Sequence, residues 1–263
     1  MSLLRRSGHW VVLFCLPLLW VTGVACAQAS GSVESEIASS RVAYDEGRYS
    51  EAIANLEGMV GAGNTSGELF YNLGNAHYRA GHLGQAILAY RRAQLFMPRD
   101  ADLQANLSYV RSSVVDQLEA PEDDISAKDL VFWYEALSVQ EQTWLAILFG
   151  ALAWAGLFLR RLREQSHMPL PIPILMILSF ALAGTAVTRH VQDTNRPGAV
   201  VVHAEITARS GTDAKSVALF YLHEGAEVRA QLGNVEGWIQ ITLPDGRRGW
   251  VESQFLGLVL PRP

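Results

Sequence analysis

Two uncharged apolar runs, Trp144 to Leu159 and Leu170 to Thr188, constrain this chain more than any other feature. Each lies near the lower end of the roughly 17–25 residues that a helix needs to cross a bilayer. The spacing predicts a transmembrane hairpin, with helices over 143–159 and 170–188 joined by a loop at 160–169. A buried hairpin of a soluble protein is the competing reading of runs this short. Pro169, Pro171 and Pro173 open the second run, where a helix tolerates missing N–H groups. The connector carries Arg160, Arg161 and Arg163, whereas Glu135 and Glu141 flank the opposite end. Positive-inside bias then predicts a cytoplasmic connector. Ala146/Gly150 and Ala151/Ala155 are small pairs able to seat a neighbouring helix, although packing within the hairpin is their plainer use.

The N-terminus points the same way. Arg5 and Arg6 precede an apolar run from Trp10 to Val24 that ends in small residues, the pattern of a secretory signal peptide over 1–27. Ala25-Cys26-Ala27 favours cleavage before Gln28. The alternatives are lipoprotein processing with lipid on Cys26, where Gly23 replaces the usual Leu, or an uncleaved anchor helix. Each sends the following residues out of the cytoplasm, and an even number of spans returns the C-terminus to that side. Only Cys15 and Cys26 are present, so the chain beyond them has no disulfide, thiolate nucleophile or cysteine metal site.

Between these segments the chain repeats itself. From Gly67 onward, Phe70, Leu73, Gly74, Tyr78, Gly81, Ala86, Tyr90, Ala93 and Pro98 fall at positions 4, 7, 8, 12, 15, 20, 24, 27 and 32 of a 34-residue block. The block resembles a tetratricopeptide repeat. The residue types have mechanical reasons: Gly74 and Ala86 are small where two helices cross, Gly81 lies in the turn, and Pro98 stops the second helix. A weaker copy begins near Val33, with Tyr44, Gly47, Ala52, Leu56 and Met59 in register and Ser40 in place of the small glycine. A third stretch from Ala101, with Leu107 in register, lacks the glycine turn and reads as a capping helix. The repeat domain thus covers 33–118, followed by an acidic linker over 119–142 containing Glu119, Glu122, Asp123 and Asp124. About three repeats are the usual minimum for such a stack, so neighbouring protein is expected to complete this one.

The resemblance implies a groove along the first helix of each repeat. It carries over to Glu68, Tyr71, Asn75, Tyr78 and Arg79, and to Glu34, Ile37, Arg41, Tyr44 and Asp45. Such a groove takes an extended peptide or a partner helix. Tyr44 and Tyr78 have an alternative use as packing between helices. Ile37 stands where carboxylate-gripping members of the family need lysine, which disfavours a C-terminal carboxylate as ligand.

From Pro197 the texture changes to short β-rich runs, VVVHAEITARS, AEVRAQL, WIQITL and GWVESQFL, separated by turns at Glu224-Gly225, Glu236-Gly237 and Pro244-Asp245-Gly246. Alternation in Trp238–Leu243 places the aliphatic residues on one face. Five short strands over 197–260 predict a small closed barrel. The ordered set of turns and Gly-Trp pairs resembles bacterial SH3 domains. GWVESQFL also sits where eukaryotic SH3 domains carry Gly-Tyr-x-Pro-Ser-Asn-Tyr, and that likeness implies a ligand surface of Trp238 and Phe255, with Tyr221 as a third candidate and Glu252 at the position where proline-helix binders carry proline. Trp250 reads as more structural, and plugging of the barrel ends is the plainer role for both tryptophans.

Chemistry-bearing motifs are missing. Seven histidines are scattered, with no HExxH, and His203-Ala204-Glu205 resembles a zinc-deaminase fragment without its PCxxC half. No phosphate-binding GxxxxGK[ST] or GxGxxG and no nucleophile-bearing GxSxG occurs. The expectation is a protein without catalysis, cofactor or metal. A net charge of −5 argues against nucleic acid, and a mean hydropathy of +0.12 with 18% charged residues argues against disorder. Signal peptide, tetratricopeptide repeats, hairpin and bacterial SH3 domain, in this order, are similar to the BatE proteins of the bacterial aerotolerance operon. That resemblance implies a multi-pass envelope scaffold at the inner membrane, with both larger domains periplasmic. Its implied partners are von Willebrand A-domain Bat proteins. A cell-wall subunit that binds peptidoglycan and regulates a hydrolase is the alternative.

Overall fold

The computed structural model describes residues 35–116, 118, 133–163, 170–233, 235 and 237–260. The expected signal segment with Cys26, the acidic residues Glu119, Glu122, Asp123 and Asp124, and connector residues 164–169 lie outside the described residues. The chain divides into two compact units, through Asn64 and from Thr65.

In the first unit, α1 (residues 35–45) and α2 (Tyr49–Gly61) form a helical pair about a tight turn at Gly47. Ile37, Ala43, Ala52, Ile53, Leu56 and Met59 are buried at helical spacing. Ser40, expected to stand in for a small glycine, is also buried, its hydroxyl donating to the Glu36 carbonyl at 2.9 Å. That internal bond removes the cost of hiding a hydroxyl.

The second unit begins with α3 (Gly67–Arg79) and α4 (Leu83–Phe96), followed by α5 (Ala101–Ser112). Ser66 and Asp100 cap α3 and α5, accepting from Leu69 N at 3.1 Å and Leu103 N at 2.8 Å. Such caps satisfy amides that the first helical turn leaves without a carbonyl. Gly81 closes the α3–α4 turn at φ +85°, a left-handed conformation that costs glycine little. Leu69, Leu73, Ala86, Ile87, Tyr90 and Ala93 are buried, and α5 adds Leu103, Leu107 and Val110. A Cβ on Gly74 would lie 2.5 Å from the Tyr90 ring, so the smallest residue is required at this crossing.

After the short α6 (Trp133–Ala136) come α7 (Val139–Leu162) and α8 (Pro171–Asn195), both long and apolar enough to cross a membrane. Ser138 and Glu141 form a reciprocal capping box at the start of α7. Contacts at Ala146–Ser179 and Gly156–Ile172 make the pair antiparallel. Ala146 is buried and Gly150 faces Ser179, as a seam of small residues requires. Ala151 and Ala155 are exposed instead, because they sit on the opposite side of α7. Gln142, fully buried, donates to the carbonyls of Leu137 and Trp133 and lies within 3.2 Å of Thr185. Trp144, Leu148, Trp154, Phe158, Ile177 and Phe180 are all exposed.

Two residues beyond α8 the chain enters an antiparallel sheet of β1 (Gly198–Val201), β2 (Glu205–Arg209), β3 (Ala218–His223), β4 (Glu227–Gln231), β5 (Trp238–Thr242), β6 (Arg248–Glu252) and β7 (Leu256–Leu258). The order is β3-β2-β6-β5-β4-β1-β7. Seven strands replace the five expected. VVVHAEITARS breaks at Val202–Ala204 into β1 and β2, GWVESQFL breaks at a 3-10 turn (Ser253–Phe255), and β3 lies outside every run singled out above. The hydrogen-bonded ladder is open, with edges at β3 and β7, where a closed barrel was expected. β2 joins β6 through the Arg209–Trp250 pair, so the ladder is narrowest there. Even so, one face from all seven strands converges on a single core including Ala199, Ile206, Leu222, Val228, Ile241, Val251 and Leu256. One shared core demands a strongly curled sheet.

Helix α4 packs directly on β1 and β7. A Cβ on Gly84 would lie 2.4 Å from the Val201 carbonyl oxygen, and one on Gly257 would lie 2.3 Å from Leu88 Cδ2. The Gly84 amide donates to Glu224 Oε1 at 2.8 Å, so a sheet carboxylate caps a helix 140 residues earlier in sequence. Arg92 donates to the Leu258 carbonyl at 2.9 Å. Beyond α5, Asp116 accepts from the His223 amide at 2.6 Å, and Leu118 packs against the sheet core.

Candidate functional site

Two surfaces carry some of the residues expected to bind. The first lies on α3 and α5. Asn75 Oδ1 accepts from the Tyr90 hydroxyl at 2.7 Å and from Asn106 Nδ2 at 3.1 Å, and Asn106 also donates to the Tyr71 hydroxyl at 3.0 Å. Tyr71 lies 6.1 Å from Tyr90 between ring centroids. This network ties three helices together. Asn75, expected as a ligand contact, therefore has its carbonyl oxygen engaged within the fold.

Tyr78 and Arg79 lie at the other end of α3. Tyr78 meets Tyr109 of α5 edge to face, with centroids 5.8 Å apart. A hydrogen bond with the Tyr109 phenol raises the Tyr78 pKa above its ordinary value. Arg79 is exposed, and Tyr109 is 61% exposed. An aromatic pair with one open member beside a cation offers area for an apolar side chain and charge for an acidic one. Tyr109 and Asn106 were not among the expected groove residues. Counting from Ala101 places Tyr109 at position 9 of the repeat, a groove position, so the register held that signal. Tyr44 belongs to the N-terminal unit, where it packs edge-on against Tyr49 at 5.4 Å. Ile37, a groove position of the weaker copy, is buried.

Electrostatics behind the first surface are set by burial. His77 is 5% exposed, and its pKa falls from 6.5 to about 4 through desolvation, with a smaller push from His82. It stays neutral near pH 7. Burial likewise lowers the pKa of Arg92, whose guanidinium stands 5.9 Å from the Phe70 ring centroid.

The second surface is an open groove of about 500 Å³ on the sheet, lined by Thr212, Asp213, Trp238, Glu252, Ser253 and Gln254. Ile239 and Ile241 point into the core, so the pleat turns Trp238 outward, opposite Glu252 on β6. Asp213 and Glu252 make the groove acidic, suited to a peptide that offers amines or amides. Phe255 and Tyr221 do not join it. Phe255 is half-buried against the sheet core with its ring 4.9 Å from His203, and Tyr221 is exposed on β3, paired with Thr207. The three aromatics expected to form one ligand shelf thus occupy three places. Trp250, expected as a structural residue, is half-buried on the same sheet face as Trp238.

Among the described residues, no group of three His, Cys, Asp or Glu side chains is placed to hold a metal ion. Residues 67–100 match the tetratricopeptide repeat family. No curated protein and no solved structure matches the chain.

Proposed function

We propose that this protein is a membrane-anchored, non-catalytic adaptor of the bacterial envelope, similar to the BatE proteins. In this reading α7 and α8 span the inner membrane, the Arg160–Arg163 end of α7 faces the cytoplasm, and the repeats and an SH3-like C-terminal domain work in the periplasm. The observation that carries it is the tetratricopeptide match at 67–100, whose Tyr78 meets Tyr109 of the following helix next to the exposed Arg79. Repeats of this kind mediate protein–protein binding, and the exposed apolar sides of α7 and α8 support an anchor in lipid. The strand order and one-sided core of the sheet support the SH3-like reading. The proposed partners are membrane proteins with von Willebrand A domains.

The test is affinity purification of the full chain from solubilised membranes, comparing wild type with Tyr78→Ala/Arg79→Glu. Co-purification of a von Willebrand A-domain protein that the double variant loses is the expected result. Equal recovery by both chains would remove the partner from this face. The groove beside Trp238 favours a second reading, in which the sheet binds peptidoglycan. Sedimentation with purified sacculi that Trp238→Ala abolishes would select it.

A further inference from the structure

A cavity of about 280 Å³ lies where the repeat, the hairpin and the sheet meet. Arg91 enters it from α4, Arg189 and Asp193 from α8, and Arg229 from β4, with Gly198 and Val259 of the sheet region beside them. Asp193 stands 3.6 Å from Arg229 and 4.0 Å from Arg189, which is ion-pair range beyond hydrogen-bond contact. Behind the cavity, Glu227 pairs with Arg91 at 3.1 Å and with Arg111, which donates to it through both Nε and Nη2. Among the described residues, four guanidinium groups thus gather about two carboxylates. Burial pulls the Arg91 pKa below its ordinary value against the opposing pull of Glu227, and Arg111 and Arg229 add to the lowering. Clustered cations in a partly desolvated cavity are stabilised by an anion that brings several acceptor oxygens.

The position of the cavity selects the kind of anion. Arg189 is the first charge after the uncharged run that ends at Thr188, and α8 continues unbroken to Asn195. At ~1.5 Å per residue, Arg189 to Asp193 covers ~6 Å beyond the hydrocarbon, which is headgroup depth. We propose that this cavity binds the phosphate of an anionic phospholipid headgroup in the leaflet where α8 emerges, clamped by Arg91, Arg189 and Arg229. The proposal rests on the membrane-spanning reading of α7 and α8. Soluble phosphate shares the chemistry but not the depth. A basic pocket beside membrane helices is a recurrent form of headgroup site. Occupancy would fasten repeat, hairpin and sheet together at the membrane surface.

The test uses the full chain in neutral detergent, followed by thermal melting during titration with phosphatidylglycerol, phosphatidylcholine or inorganic phosphate. Phosphatidylglycerol is expected to raise Tm and phosphatidylcholine to leave it unchanged. Arg229→Gln should need about tenfold more phosphatidylglycerol for half the shift, as loss of one charge-assisted hydrogen bond implies, and Arg229→Lys should recover part of it. If Arg229→Gln melts early on its own, Asp193→Asn supplies the second reading, because removing the competing carboxylate should tighten phosphatidylglycerol binding. Equal shifts from both lipids, or an unchanged titration in both Arg229→Gln and Asp193→Asn, would overturn the pocket. An equal shift from inorganic phosphate would overturn the lipid as its source. Carbonate washing of native membranes separates the two claims. Release of the chain overturns the spanning reading and the lipid site together, whereas retention without phosphatidylglycerol preference overturns the site alone.

Discussion

Gly74 and Tyr90 illustrate how one atom decides a packing arrangement. The ring occupies the space a Cβ on residue 74 would need, at 2.5 Å, so Gly74→Leu must push α3 and α4 apart. The expected loss is about 1–3 kcal/mol, the usual scale of overpacking, read as a lower Tm. Arg79→Ala, on the exposed end of the same helix, should leave Tm unchanged. His77 adds a pH dependence. Its pKa is about 4 in the fold against 6.5 for an ordinary histidine, so between these values the unfolded chain binds more protons than the folded one. Its contribution to stability is complete above about pH 6.5, declines as the pH falls toward 4, and then levels off. Urea midpoints measured at pH 7 and pH 5 should therefore differ more for wild type than for His77→Gln. A parallel fall in both would exclude His77 as the titrating group.

At the scale of elements, contact between α4 and the sheet makes two sequence segments depend on each other. Glu224→Ala should lower stability by about 1 kcal/mol, the usual worth of an N-terminal cap, although Glu224 lies 140 residues from the helix it caps. A Glu224→Ala melting curve identical to wild type would mean that the cap contributes nothing. Within the sheet, Ile241→Ala removes a fully buried side chain and should cost about 2–5 kcal/mol. Trp238→Ala, outward on the same strand, should cost less despite removing more atoms. A larger loss for Trp238→Ala would place that indole in the core and remove the groove from consideration as a binding surface.

These elements also show what can be read from sequence. The helix pair at 67–100 is legible because small residues, turn glycine and stop proline recur at fixed spacing, and each has a local cause. The apolar runs are legible for the same reason: length and lack of charge are local properties. β3 escaped because its outward positions are apolar too: Phe220 and Leu222 turn to the core while Leu219 and Tyr221 are exposed, so no polar–apolar alternation marks it. The break at Val202–Ala204 and the 3-10 turn after Glu252 are set by how strands meet across the sheet. The supposed shelf of Trp238, Phe255 and Tyr221 failed as a single site because the direction of each side chain depends on register and curl. The contacts of Gly84 with Glu224 and of Asp116 with His223 have no local signature at all.

At the scale of the whole molecule, the unit from Thr65 onward brings repeat, hairpin and sheet to one junction. Arg99, between α4 and α5, pairs with Glu141 at the start of α7, and Arg229 of β4 faces Asp193 near the end of α8. Only Arg196 and Pro197 separate α8 from β1. On the proposed reading, partner binding at Tyr78 or Trp238 therefore acts on a surface fixed to the anchor. The central claim is that the repeat and the sheet form one platform on the outer side of the inner membrane, carried by a two-helix anchor. Labelling of single cysteines in spheroplasts with a membrane-impermeant maleimide tests this directly. Tyr109→Cys and Tyr221→Cys are exposed positions on the two parts, and Arg161→Cys lies at the connector end of the anchor. The account predicts that both tyrosine positions label in intact spheroplasts, whereas Arg161→Cys labels after lysis alone. Protection of either tyrosine position until lysis, or labelling of Arg161→Cys in intact spheroplasts, would contradict it.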